Sequence, residues 1–77
     1  MIEWIAVEKK LPYLNKEYLF KIKFIPLPYM KEKEIHSYRH DSNWDGNLTE
    51  KRYLEFAGTQ FEVGEVKITH WVELERL

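Results

Sequence analysis

The sequence has no cysteine and only three glycines and three prolines. No disulfide can hold it together, a usage that fits a reducing compartment. No apolar run approaches the ~18 residues that a membrane-spanning helix needs. The opening residues carry Glu3 and Glu8, without the basic stretch followed by an apolar one that marks a secretory signal. Neither charge dominates: twelve basic and thirteen acidic residues leave a net charge of −1. A dedicated nucleic-acid binder needs an excess of cations to displace counterions, so the balance disfavours that class while leaving room for a local basic patch. No internal repeat and no low-complexity segment interrupts the chain.

What the chain does have is large aromatic side chains: three Trp, five Tyr and four Phe, 16% of the residues. They must form the core of a single domain over residues 1–77. A chain of this size buries only about 60–65% of its unfolded surface. Its stability is expected at about 4–11 kcal/mol, from ~0.05–0.15 kcal/mol per residue.

Periodicity of two appears repeatedly, and a helical stripe over three turns appears nowhere. In EYLFKIKFI (17–25), Tyr18, Phe20, Ile22 and Phe24 share one face and Lys21 and Lys23 the other. The strand must end at PLPYM, because Pro26 and Pro28 cannot donate to a central ladder. EKEIHSYRH (32–40) reads as a second strand with a polar face. RYLEFAG (52–58) fits a strand or one helical turn, ended by Gly58, and TQFEVG leads to Gly64. EVKITHWVEL (65–74) is the other clear strand; alternation puts Val66, Ile68, Val72 and Leu74 on one face and Trp71 on the opposite one. EWIAV (3–7) is a short strand or an extended anchor. The predicted fold class is mainly β, a small antiparallel meander of about four or five strands, with room for one short helix.

Between strands lies DSNWDGNLTEKR (41–52), which begins as a calcium-binding loop does. Asp41, Asn43 and Asp45 occupy positions 1, 3 and 5, Gly46 position 6 and apolar Leu48 position 8. Position 12, where such a loop uses a bidentate Glu, is Arg52. The flanks are strands, so neither helix of an EF-hand is there. No metal site is expected. The stretch is either a polar turn of Asp, Asn and Gly or a recognition loop presenting Trp44; the indole either folds back over the sheet or anchors a partner, and the anchor reading is favoured slightly because Trp is enriched at binding hot spots.

The second constellation is HSYRH (36–40). His36, Tyr38 and His40 fall on one strand face, Arg39 on the other. On a helix His-x-x-x-His is metal-ligand spacing; on a strand the imidazoles stand about 13 Å apart, too far for one ion. The face is instead suited to stacking on, and hydrogen-bonding, an anionic ligand. Lys21, Lys23, Lys31, Lys33 and Arg39 could add a modest basic patch, with Glu32 and Glu34 interleaved. His70 beside Trp71 invites a role as base or ligand, but a half-buried His whose ring bonds a backbone carbonyl and fixes a strand end is the better reading. No nucleophile–base order, phosphate loop or carboxylate pair is legible, and no catalytic residue, metal or cofactor is expected.

The two ends carry a further signal. EWIAVEKKLP resembles the W-I-x-V-x-x-x-L-P opening of a small domain common in phages and prophages, through Trp4, Ile5, Val7, Leu11 and Pro12. VKITHWVEL is similar to that family's closing T-H-W-x-x-L, through Thr69, His70, Trp71 and Leu74. The chain departs from the pattern at Ala6, where Ser or Pro is usual, in a tail without proline, and in a longer middle. The family is one of unknown function, so the resemblance implies a phage-type accessory protein in a bacterial cytoplasm and transfers no activity. The resulting expectation is a non-enzymatic binding protein, directed at a host or defence protein through Trp44, His36, Tyr38, Arg39 and His40. The alternative is an oligomer that sequesters a small anionic ligand, such as a nucleotide signal, between subunits. Membrane and nucleic-acid partners are not expected.

Overall fold

A computed structural model describes residues 1–77. The chain forms one antiparallel sheet curled into a half-barrel. Its strands are β1 (Ile5–Ala6), β2 (Tyr18–Pro26), β3 (Ile35–Asp41), β4 (Thr49–Phe56) and β5 (Thr59–Glu73). Single turns of 3₁₀ helix at Pro28–Met30 and Leu74–Arg76 are the only helical residues, and no helix is long and apolar enough to cross a membrane. The spatial order is β1-β5-β2-β3, with β4 also on β5. One edge of β5 is therefore occupied by β2 along residues 64–73. Its other edge is shared end to end by β4, along 59–67, and β1, at 70–71.

The strands appear where the apolar alternation places them, with three corrections. First, β3 runs through Asp41 and β4 starts at Thr49, so the polar loop shrinks to 42–48. Second, Gly64 does not end a segment: β5 runs unbroken for 15 residues, while residues 52–56 are strand, one of the two readings open to them. The turn joining β4 to β5 is Ala57-Gly58, with φ of 50° and 78°. Two consecutive positive φ values make the tight turn whose twist matches the strands it joins. Third, the alternation in β5 slips. Ile22 pairs with Ile68, but Lys21 pairs with His70, so Thr69 is an extra residue and forms a β-bulge. The bulge returns Trp71 to the face of Val66 and Ile68, opposite Phe20, where uninterrupted alternation would have sent it outward.

The inner face of the half-barrel holds the core. Tyr18, Phe20, Trp44, Ile68 and Trp71 form one cluster, with Ile5, Val7, Ile22 and Leu48 packed against it. Tyr18 sits edge-on to both indoles, at centroid distances of 6.3 Å to Trp44 and 5.3 Å to Trp71, a favoured aromatic geometry. The polar tips of these aromatic side chains are satisfied, whereas the buried Nε of Arg39 has no partner. The Tyr18 hydroxyl donates to the Tyr13 carbonyl at 2.9 Å, and Trp71 Nε1 donates to the Lys10 carbonyl at 2.8 Å. The N-terminal segment is thus pinned under the sheet by the C-terminal Trp.

Candidate functional site

Trp44 is not an exposed anchor: it is 2% accessible and central to the core. The loop carrying it is tied down on both sides. Trp44 N donates to the Lys16 carbonyl at 3.2 Å, and Asn15 N donates to the Trp44 carbonyl at 3.0 Å. The indole N–H turns back to the Asn47 carbonyl at 3.4 Å. The loop's carboxylates are equally occupied. Asp41 Oδ1 accepts from the backbone N–H of Asn43 at 3.1 Å, and Asp45 Oδ1 from that of Asn47 at 3.0 Å. These are Asx turns, in which a carboxylate caps the backbone two residues on. The Asn47 N–H, foremost, holds the Asp45 carboxyl below its ordinary value of 3.8, helped by the Asn47 side-chain amide. Gly46 takes φ of +95° between them. The calcium-like spelling therefore builds the turn that lowers an indole into the half-barrel.

Arg39 faces inward, apart from His36, Tyr38 and His40 of its strand. Its guanidinium lies 5.8 Å from the Phe20 ring centroid. Glu50 bridges it to Arg52, with both N–O distances at 3.7 Å. These groups and Asp45 line a cleft of about 420 Å³ on the inner side. With each Arg already facing a carboxylate, the cleft is close to charge-balanced. The five-residue basic patch does not assemble either. Lys21 and Lys23 lie on the outer face of β2, Arg39 on the inner face of β3, and Lys31 and Lys33 in the connection between those strands.

The outer face does gather functional groups. His36, Tyr38 and His40 pair across with Lys23, Lys21 and Leu19, as period two demands. His40 is drawn to the sheet margin by Glu17, at 2.6 Å, leaving His36 and Tyr38 at the centre. From the opposite edge Trp4 reaches over the sheet and stacks on Tyr38, centroids 5.8 Å apart and planes 25° from parallel. Trp4 is accordingly half-buried, unlike Trp71. Lys21 Nζ lies 4.8 Å from the Trp4 ring centroid, a cation–π contact. The Thr69 bulge puts His70 on this face opposite Lys21. Thr69 Oγ1 donates to the Lys21 carbonyl at 3.3 Å, so its oxygen accepts from His70 Nδ1 at 2.9 Å. That assignment leaves Nε2 as the free nitrogen of His70, held by a neighbouring hydroxyl rather than a carbonyl.

The result is a shallow depression of about 390 Å³ bounded by Lys21, Lys23, His36, Tyr38, Thr69 and His70. Neither Lys21 nor Lys23 takes part in any ion pair of the molecule. The only carboxylate paired with a depression residue is Glu34, 3.6 Å from His36. Two unneutralised ammonium groups, two imidazoles and an exposed phenol on a stacked indole can bind an anion and a flat group together. The sequence placed His36 and Tyr38 on one face of their strand and the two lysines on one face of theirs, but it grouped the lysines with Arg39 and gave no sign that Trp4 or His70 joins them. Trp4 arrives from a two-residue strand at the far edge, and His70 through the bulge. No family model, no curated protein and no solved structure matches the chain.

Proposed function

We propose that the protein acts by binding, as a protein–protein interaction module of the phage-accessory kind, with a host or defence factor as its partner. The contact surface is the outer face centred on Tyr38, with Trp4, Lys21, Lys23, His36 and His70 around it. The observation that carries this reading is Tyr38, left 66% accessible although an indole is stacked against it. Aromatic anchors with cations beside them are the typical core of a protein contact. The free outer edge of β3 adds a row of backbone donors and acceptors, so an extended acidic segment could pair with the sheet and set its carboxylates near the lysines. The resemblance of both termini to a phage domain supports the choice of partner.

A second reading has its own support. The depression lies within the usual volume range of small-molecule sites, about 300–1,000 Å³. Its cations and rings would suit a nucleotide's phosphate and base. One pair of measurements separates the two. Tagged wild-type protein should retain a partner from bacterial lysate that Tyr38→Ala and Lys23→Glu variants lose at unchanged melting temperature. Equal capture by the variants sinks the first reading. A nucleotide that raises the melting temperature of the wild type, and not of those variants, establishes the second.

A further inference from the structure

The β4–β5 hairpin outruns the sheet. β2 stops pairing with β5 at Gly64, so residues 53–62 continue as a two-stranded arm, which lengthens the molecule to 44 Å against widths of 23 and 19 Å. Leu54 faces Phe61 across the arm, and Phe56 lies two residues on along the same face. They are 59%, 49% and 75% accessible. Three adjacent large apolar side chains on a hairpin with nothing beneath it are an unfinished surface. The outer edge of β4 is unfinished too. β4 pairs only with β5, and no other backbone hydrogen bond of the molecule begins or ends within 49–56. Neither proline nor helix covers this edge; what guards it is charge, from Glu50, Lys51, Arg52 and Glu55, so a strand added here must match that charge.

The sequence of β4 says what completes it. We infer that β4 pairs antiparallel with β4 of a second copy of this chain, about a two-fold axis through Tyr53. An axis perpendicular to the sheet keeps each face on its own side, so only registers joining residues of like parity are allowed. Centring on Arg52 would oppose two guanidiniums, and centring on Lys51 two ammonium groups. Centring on Tyr53 sets Lys51 opposite Glu55 of the partner subunit, and the reverse, with the two phenols between them. On the other face the same register sets Leu54 opposite the partner's Arg52, and Phe56 opposite the partner's Glu50, so that the two Leu54 side chains meet diagonally beside the axis. Cross-strand pairs of opposite charge and of aromatics favour a register, and opposed like charges disfavour it. This inference is independent of the outer-face site, which belongs to other strands.

Sedimentation equilibrium tests it. The protein should self-associate to twice the 9.5 kDa chain mass. Glu55→Lys opposes lysines at two points and should weaken the dimer about tenfold or more. Adding Lys51→Glu to that variant restores complementary pairs and should restore the dimer. Because the chain has no cysteine, Tyr53→Cys gives a second readout. Opposed residues on the axis stand within disulfide reach, about 4.5–5.5 Å between Cα atoms, so this variant should crosslink on oxidation. Thr49→Cys, whose two copies would lie about 26 Å apart at ~3.3 Å per residue, should not. A wild type that stays monomeric at submillimolar concentration overturns the inference. So does a dimer indifferent to Glu55→Lys, or one that crosslinks through residue 49 and not through residue 53.

Discussion

One strand lives in two environments. Along 64–73 β5 has β2 on one edge and β4, then β1, on the other, and Val66, Ile68, Trp71 and Val72 are buried. At its N-terminal end the same strand has only β4 beside it, and Phe61 remains half exposed. The residue types do not explain the difference: Phe20 is 0% accessible and Phe61 49%. What differs is the number of layers. Along 64–73 the sheet curls over Trp44 and the N-terminal segment, so the inner face has something to close on. Beyond Gly64 the ribbon has two strands and no lid, and a hairpin alone is marginal. Stability is therefore concentrated at one end of the molecule and unclaimed surface at the other.

The sharpest test of that division is Trp44. Removing a buried indole should cost about 3–5 kcal/mol, a large share of the ~4–11 kcal/mol expected for a domain of this size. Trp44→Ala should melt far below the wild type by circular dichroism, despite lying in a loop of polar residues. A folded variant with a near-native melting point would mean that the core closes without its lid. The bulge gives the next effect. Deleting Thr69 leaves Ile68, His70 and Trp71 opposite their present partners in a regular ladder. It removes the Val7 N–H bond to the Thr69 carbonyl and the hydroxyl bond to Lys21. The expected loss is about 1–3 kcal/mol, since each bond contributes ~0.5–1.5 kcal/mol. Deleting Lys67, where β4 and β2 are both in register, should unfold the chain. Similar melting temperatures for the two deletions would deny the bulge its role.

These residues also show why the sequence was legible only in part. Alternation in β2 is unbroken, so its inner face, Tyr18 to Phe24, could be read directly. In β5 the residue inserted at Thr69 inverts the alternation after it, as Val63 does on the β4 side, and nothing in ITHW marks which residue is extra. The hairpin turn was missed because its first residue is Ala57, at φ 50°, where Asn or Gly is the recognisable choice. Trp44 stayed open between core and anchor because a polar context says where the backbone lies, not where an indole points. The candidate site suffered similarly. Tyr38 and its neighbours sit on one strand and announce themselves, whereas Trp4 and His70 join them only through strand order.

The core also predicts a pH dependence that the arm cannot supply. Burial, foremost, raises the Tyr18 phenol above its ordinary value of 10.0, though its hydrogen bond to Tyr13 opposes the shift. The native state then holds this proton more tightly than the unfolded chain does. The associated stability is complete below the ordinary phenol value and is lost as pH rises through the raised one. Tyr18→Phe should cost about 1 kcal/mol near neutrality, through the bond to Tyr13. Its melting temperature should fall less steeply above pH 10 than that of the wild type. Parallel curves for the two proteins would show that the phenol is not titrating from within the core.

The smallest effect is expected from the arm. Phe56 is 75% accessible and faces no layer, so Phe56→Ser, measured by urea unfolding at high dilution, should change stability by no more than ~0.5 kcal/mol. Raising the protein concentration should separate the two proteins if the arm is where copies meet. Association stabilises whatever state it binds, so the wild type should gain in melting temperature with concentration and the variant should gain less. The dilute arm of this experiment bears on the contrast between the two ends of β5, and the concentrated arm on what completes the free end. A loss of several kcal/mol at high dilution would place Phe56 inside the monomer's own cooperative core, and the arm would then be structure the domain requires rather than surface it offers.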